Sequence, residues 1–329
     1  MSANPVLITG ASGFAGRWLA RACAHAGDAV VGISRSQSWS DGFPGSELEG
    51  ACELIALDLR DLDALREAVR SRAPAVIYHL AALSSVGRSW EDPAGTVPEN
   101  VATSVTVLEA ARLQAPDARV IWVSSCEVYG SPTVLPITEQ APLTPANPYA
   151  VSKLAGEQLA NVYADAYGLD IVRARPFSHS GPGQQPTFIV SSLARQAAEG
   201  RAAGADEIRI TTGNPDTRRD FTDVRDVVRA YRLLGAGAGR SGEVFNVSSD
   251  RSVSAAEQVQ LLASLLEPIR VEHVVDPARV RAQEVMDLRG DAGRLRTATG
   301  WEPTIPFRQT VSDTIDWWER ELAAERSRS

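Results

Sequence analysis

The opening stretch of the chain constrains its fold more than any other feature. An apolar run, Val6–Thr9, leads straight into Gly10-Ala11-Ser12-Gly13-Phe14-Ala15-Gly16, and a helical pattern begins inside that glycine segment. Strand, glycine turn and helix in this order open a βαβ unit. Glycines at 10, 13 and 16 permit a tight turn, close approach of backbone to a diphosphate, and close packing of helix on strand. The helix N-terminus adds oriented N–H groups and the positive end of its dipole. Gly10, Ser12, Gly13, Phe14, Ala15 and Gly16 are therefore the expected anion cradle. A glycine-rich loop that binds nothing is the alternative, and the βαβ rhythm that follows argues against it.

That rhythm runs through the first half of the chain. Val6–Thr9, Ala29–Ile33, Glu53–Leu57, Ala75–Leu80, Arg119–Ser124 and Asp170–Arg175 read as strands separated by amphipathic stretches. The pattern predicts an α/β fold: a doubly wound parallel sheet of the Rossmann kind over residues 1–176. Beyond Pro176 it breaks into Gly- and Pro-rich turns with single elements, such as a strand at Glu243–Val247 and a helix at Val253–Leu266. A smaller, mixed α/β substrate lobe is expected over 177–329, with some later segments free to return to the first lobe.

The 329 residues suffice for two such lobes, and 44% hydrophobic with 22% charged residues is ordinary for a globular chain. A net charge of −8 argues against a broad nucleic-acid or anionic-membrane surface while leaving room for a focused basic site. Cys23, Cys52 and Cys126 form neither a disulfide framework nor a metal-ligand spacing, and His25, His79, His179 and His273 are scattered, so no metal is expected. The first residues show no leader pattern and no apolar run reaches about 18 residues, which makes the cytoplasm the expected compartment.

An acid at the end of the second strand would mark a site for the ribose 2′-hydroxyl of NAD. Here that end reads Gly32-Ile33-Ser34-Arg35-Ser36. Ser34 and Arg35 suit a 2′-phosphate better, so NADPH is the expected cofactor and NAD the alternative. Asp58 and Leu59, ending the third strand, are placed to face the adenine. Leu80, Ala81 and Ala82, ending the fourth, offer small residues where backbone must approach the cofactor.

The sharpest chemical signal is Tyr149-Ala150-Val151-Ser152-Lys153, at the start of a helix expected to run to Tyr167. The i, i+4 spacing puts Tyr149 and Lys153 on one face. A free phenol titrates near 10, and a neighbouring ammonium favours the phenolate, so the pair makes a tunable acid/base. Upstream, Ser124-Ser125-Cys126-Glu127-Val128-Tyr129-Gly130 follows the fifth strand, where Ser125 can hold a substrate oxygen. Alone, each feature is common surface or turn chemistry; their combination with the glycine turn is not.

Together, the glycine turn, the serine ahead of a Tyr-Gly and the Tyr149/Lys153 pair resemble the extended short-chain dehydrogenase/reductase family over nearly the whole chain. His79-Leu80-Ala81-Ala82-Leu83-Ser84-Ser85-Val86, Gly181-Pro182-Gly183-Gln184 and the stretch from Gly213-Asn214 through Arg218-Arg219-Asp220-Phe221-Thr222-Asp223-Val224-Arg225-Asp226 are most similar to its GDP-4-keto-6-deoxy-mannose reductases and GDP-mannose 4,6-dehydratases. The resemblance implies a triad of Ser125, Tyr149 and Lys153. Tyr149 would give a proton to the sugar C4 oxygen while NADPH gives hydride to C4, with Lys153 and Pro176 also beside the cofactor. Glu127 matches the acid that serves the dehydratases as base at C5.

Three departures bear on the choice between these activities. Cys126 stands where the dehydratases carry Asp or Ser, Ser178 precedes His179 where an asparagine is usual, and Phe14-Ala15 replaces the dehydratases' Gln-Asp before Gly16. The first and third favour a reductase acting on a GDP-linked sugar, whereas the shorter Ser178 implies a less direct hold on the substrate. A 4-epimerase on a UDP- or dTDP-sugar and a non-catalytic nucleotide sensor of the same fold are the other readings.

A sugar nucleotide's diphosphate calls for cations in the second lobe. Arg219 is the first candidate. Arg281 and Glu284 resemble a segment that covers the nucleotide, and Ser178 and His179 lie beside the sugar. Ser84 and Ser85 can bond sugar hydroxyls or cap the following turn, and Asn100 opens a helix expected over Val101–Arg112. The resemblance suggests a homodimer joined through that helix and the Tyr149–Tyr167 helix, although their apolar faces can equally pack within one chain.

Overall fold

The computed structural model describes residues 5–36, 38–39, 45–280 and 285–328. Its first strand, β1 (Pro5–Thr9), sets the pattern for the whole sheet. Leu7 turns to one face, Val6 and Ile8 turn to the other, and all three are buried. Strands apolar on both faces demand cover on both sides, which helical crossovers supply. The chain continues through α1 (Phe14–His25), β2 (Ala29–Ser34), α2 (Gly45–Leu48), β3 (Glu53–Ala56), α3 (Leu62–Arg72), β4 (Val76–His79) and α4 (Val86–Glu91). Then come α5 (Pro93–Gln114), β5 (Arg119–Val123), α6 (Pro148–Tyr167), β6 (Ile171–Pro176), β7 (Ser178–Ser180), α7 (Ile189–Ala202), β8 (Glu207–Thr212) and β9 (Arg218–Asp223). The last elements are α8 (Val224–Gly235), β10 (Val244–Val247), β11 (Ser252–Ser254), α9 (Ala255–Leu266), β12 (Arg270–Val275), β13 (Asp287–Leu288), α10 (Gly293–Thr299) and α11 (Phe307–Arg328).

Seven parallel strands form the main sheet in the order β10, β6, β5, β4, β1, β2, β3. The expected doubly wound α/β sheet is therefore present. Helices α1 and α8 cover one face, and α3, α5 and α6 cover the other. The winding reverses between β1 and β4, so the carboxyl ends of those strands flank the crevice where open α/β sheets bind ligands.

Residues well past Pro176 complete this layer. Strand β10 closes its edge, while Val224, Val228, Leu234, Leu295 and Trp301 fill one face. The remaining elements build a second core of Leu193, Ile208, Ile210, Leu262, Ile315 and Trp318, in which α7 and α9 pack against the parallel pair β8 and β12 and α11 packs on α7. A short ladder of β11, β9 and β13, with β7 beside β9, stands between the two cores. The two layers are tied at α1, where Trp18 Nε1 donates to Pro182 O at 3.0 Å and Arg17 Nη2 donates to Gly183 O at 3.1 Å.

Two helix starts differ from expectation. The helix expected from Val253 begins at Ala255, because Ser254 and Glu257 close a capping box there and Ser252–Ser254 pairs with β9 instead. The helix expected from Val101 begins at Pro93, capped by Asp92, so Asn100 lies two turns inside α5. Pro98 misled the pattern: in an early turn of α5 its lost N–H removes one ladder bond and is tolerated. Among the described residues, no helix is long and apolar enough to cross a membrane, and no three His, Cys, Asp or Glu side chains are placed to hold a metal ion.

Candidate active site

The crevice opens into one continuous cleft of about 1480 Å³ running from the end of β1 to β8 and β9. Ordinary small-molecule sites span roughly 300 to 1,000 Å³, so this cleft has room for two ligands side by side. At one end the glycine turn folds tightly. Gly10 adopts φ +70°, and a Cβ there would stand 2.8 Å from Ala81 Cα. At Gly16 a Cβ would stand 2.2 Å from Gly10 O, so only glycine lets α1 approach the turn. Gly13 caps α1 without a side chain, leaving the N–H groups of its first turn on the cleft side with Ser12, Phe14 and Ala15. The Ser12 and Ser34 hydroxyls are hydrogen-bonded at 2.5 Å.

The same wall carries Ser34, Arg35, Asp58, Leu59, Leu80, Ala81 and Ala82 at successive strand ends. Beneath Ala81, Thr9 Oγ1 meets both His79 Nδ1 at 2.8 Å and Ala81 N at 3.3 Å. Burial and, secondarily, the Lys153 charge push the His79 ring down to about 3, so it is a neutral packing group. The cradle is thus polar and narrow at the turn and small-sided at β4, a shape suited to a dinucleotide laid across the switch point.

At the middle of the cleft the ends of β5 and α6 bring Ser125, Glu127, Tyr149 and Lys153 together. Asn147 organises this meeting. Its Oδ1 accepts from Ala150 N at 2.8 Å to cap α6, and its Nδ2 donates to Glu127 Oε2 at 2.9 Å. Lys153 Nζ donates to Val123 O at 2.5 Å, which anchors the ammonium beneath the sheet edge. Burial brings Lys153 down to about 8, with Glu157 opposing the shift. Burial also pushes Tyr149, 9% exposed, well above the usual phenol range, and Ser125 partly offsets this by stabilising the ionised form. At neutral pH the phenol is protonated and in contact with Ser125, while one helical turn along α6 Lys153 carries an ammonium that titrates within reach of neutrality, an arrangement that can deliver a proton.

Residues 7–314 match the model of the GDP-mannose 4,6-dehydratase family. The chain belongs to that family. It is an enzyme of the oxidoreductase type in the extended short-chain dehydrogenase/reductase group, whose members act as nucleotide-sugar reductases, dehydratases and epimerases. It is 34% identical over 325 residues to the GDP-6-deoxy-D-mannose reductase of Pseudomonas aeruginosa, covering 97% of this chain and 99% of that one. It is 32% identical over 319 residues to the UDP-glucose 4-epimerase of Mycolicibacterium smegmatis, covering 95% and 97%. The solved structure of RMD from Pseudomonas aeruginosa complexed with NADPH superimposes with a TM-score of 0.81 at 32% identity, over 97% of this chain and 98% of that one.

The far end of this dehydratase-family cleft is lined by Ser84, Ser85, Ser178, His179 and Arg219 together with Pro176. Ser85 serves as the cap of α4, accepting from Arg88 N at 3.2 Å. Asn100 is a structural tie: its Nδ2 donates to Ser152 Oγ at 2.9 Å, and its Oδ1 accepts from Leu83 N at 2.8 Å. His179 stacks on Phe14 with ring centroids 6.0 Å apart, which joins the two ends of the site. Arg219 Nη1 donates to Val285 O at 2.8 Å, fixing its guanidinium against the segment that Arg281 and Glu284 precede. Arg281 and Glu284 themselves lie outside the described residues.

Among the lining residues that sequence reasoning passed over are Asn147, Tyr231 and Phe188. Asn147 carried a readable signal, since Asn-Pro before a helix is a capping pattern. Tyr231, in α8, and Phe188, which leads into α7, reach the cleft only because distant elements fold over it, and no local pattern marks them.

Proposed function

We propose that this chain uses NADPH to reduce the C4 keto group of a GDP-4-keto-6-deoxyhexose, yielding a GDP-6-deoxyhexose such as GDP-D-rhamnose. The observation that carries the reading is a single cleft in which a dinucleotide cradle, without an acid at the end of β2, runs directly into Ser125, Tyr149 and Lys153. The cradle fits NADPH because glycine at 10 and 16 lets the turn pack closely on Ala81 and on α1, which leaves the first-turn N–H groups of that helix on the cleft side for a diphosphate, and Arg35, which lines the cleft just after β2, would pair with a 2′-phosphate. The reductase relative supports the same choice.

When bound, NADPH supplies hydride to sugar C4. Ser125 holds the C4 oxygen, and Tyr149 gives it the phenol proton, so the carbonyl becomes a C–H and an O–H while Tyr149 is left as phenolate. The Lys153 ammonium, one helical turn away, stabilises that phenolate until solvent restores its proton. Arg219 balances the diphosphate, while Ser84, Ser178 and His179 border the sugar. Val105, Val151, Val162 and Tyr167 stand exposed on α5 and α6, which supports a homodimer through these helices, checked by sedimentation equilibrium.

Glu127 favours a second reading. Its carboxylate lines the cleft and is oriented by Asn147, as a base for sugar C5 would need to be, so a GDP-mannose 4,6-dehydratase is the competing activity. Purified protein is mixed with NADPH and GDP-4-keto-6-deoxy-mannose while absorbance at the reduced-nicotinamide band is followed, with GDP-mannose analysed in parallel by mass. Loss of absorbance with the keto sugar is the expected result. Conversion of GDP-mannose to a species lighter by one water, with no loss of absorbance, would install the dehydratase. Silence in both arms points to another nucleotide sugar or a non-catalytic role.

A further inference from the structure

Beyond Arg35, the adenosine end of the cleft carries a chain of charges. Glu99, in α5, lines the cleft and presents both carboxylate oxygens to cations from two other elements. Arg35 Nη1, after β2, lies 3.2 Å from Oε1, and Arg60 Nη1, after β3, lies 3.6 Å from Oε2. Arg60 is itself oriented by Asp58, which accepts from its Nε at 3.0 and 3.1 Å and from its Nη2 at 2.5 Å. Arg35 and Arg60 are 67% and 56% exposed, whereas Glu99 is only 23% exposed, so the acid sits inside the pair of cations rather than outside it.

Two guanidinium groups placed one on each oxygen of a carboxylate are spaced for any anion with two oxygens on one centre, and a phosphate monoester is such an anion. We infer that Arg35 and Arg60 together form the 2′-phosphate site, and that Glu99 is an internal anion competing with the phosphate for both arginines, thereby setting the preference between NADPH and NADH. The inference rests on the NADPH reading above and extends it to Arg60 and Glu99. A 2′-phosphate entering this site displaces the Glu99 carboxylate from the arginines and meets its repulsion, whereas a 2′-hydroxyl neither needs the arginines nor is repelled. Glu99 therefore weakens NADPH selectively, and Arg60 strengthens it selectively.

Equilibrium binding of NADPH and NADH to the intact protein tests this, with 2′,5′-ADP and 5′-AMP as probes that differ only in the 2′-phosphate and require no turnover. Because exposed ion pairs are weak and each factor of ten is 1.4 kcal/mol, Glu99→Gln is expected to tighten NADPH and 2′,5′-ADP roughly three- to tenfold, with NADH and 5′-AMP unchanged within about twofold. Arg60→Met is expected to weaken the phosphorylated pair roughly tenfold and spare the other. Equal effects of Glu99→Gln on both classes, or none on either, would overturn the inference while leaving the NADPH reading intact. Wild-type protein that binds NADH as tightly as NADPH, with no gain for NADPH in Glu99→Gln, overturns both.

Discussion

Tyr149 and Lys153 concentrate the chemistry of the site into two titrations whose directions follow from burial. Removing the phenol oxygen takes away the proton donor without disturbing the cradle. Tyr149→Phe is therefore expected to lower the turnover of NADPH with the keto sugar by roughly 10²- to 10⁴-fold while NADPH still binds, as read by stopped-flow absorbance and by fluorescence titration. Lys153 titrates near 8 because burial disfavours its charged form. Its ammonium is present below that pH and lost above it, so turnover should fall as pH rises through about 8, and Lys153→Met should flatten that limb of the profile. A profile that rises across the same range would show that the ammonium is not what the reaction uses. The pair was legible in the sequence because i, i+4 spacing on a helix survives any tertiary arrangement. Cys126 and Glu127 were legible as neighbours of Ser125, whereas Tyr231 was not, since its place in the cleft is decided by how α8 crosses β4 and β5.

Helix α6 and strand β6 hold the catalytic pair in place through a buried ion pair one turn beyond Lys153. Glu157 is fully buried and receives Arg175 Nη2 at 2.5 Å and Nε at 3.1 Å, while Arg175 Nη1 donates to the Tyr129 hydroxyl at 2.9 Å. Losing Arg175 leaves the buried Glu157 only a longer ion pair with Arg173 Nη1 at 3.6 Å, a poorly compensated charge away from water, so Arg175→Met should cost about 3 kcal/mol in urea unfolding. Adding Glu157→Leu should return part of that loss; a double variant no more stable than the single would refute the stranded-charge account. At the other end of the sheet, Gly16→Ala drives a methyl into Gly10 O, and the expected outcome is a folded protein that no longer retains NADPH in gel filtration. Elements of this kind were readable where periodicity was clean, as in β1, β2 and α6. Helix boundaries were readable only where a cap spoke for itself: Asp92 and Ser254 decided the true starts of α5 and α9, and both caps sit beside residues whose apolar pattern pointed elsewhere.

The whole molecule is knit by a chain that leaves the first layer after β6 and returns to it for α8, β10, α10 and Trp301. Trp301 Nε1 donates to Asp226 O at 2.9 Å, and Asp226 in turn accepts from Thr304 and Ile305, so the ends of the second half are pinned to the first. Neither layer can lose its packing without exposing residues the other needs, which predicts one unfolding transition. A ligand that binds only the folded state at 100 times its Kd adds about 2.7 kcal/mol. With an unfolding entropy of about 0.7 kcal/mol/K for a chain of this length, NADPH at that concentration should raise Tm by about 4 °C across the entire transition. Because the cleft is continuous from the glycine turn to Arg219, GDP added on top of NADPH should raise it further, and UDP less. Calorimetry that splits into two transitions, with NADPH moving only one, would mean that the shared core around Trp301 does not couple the layers; a single transition moved equally by GDP and UDP would mean that the far end of the cleft does not read the base.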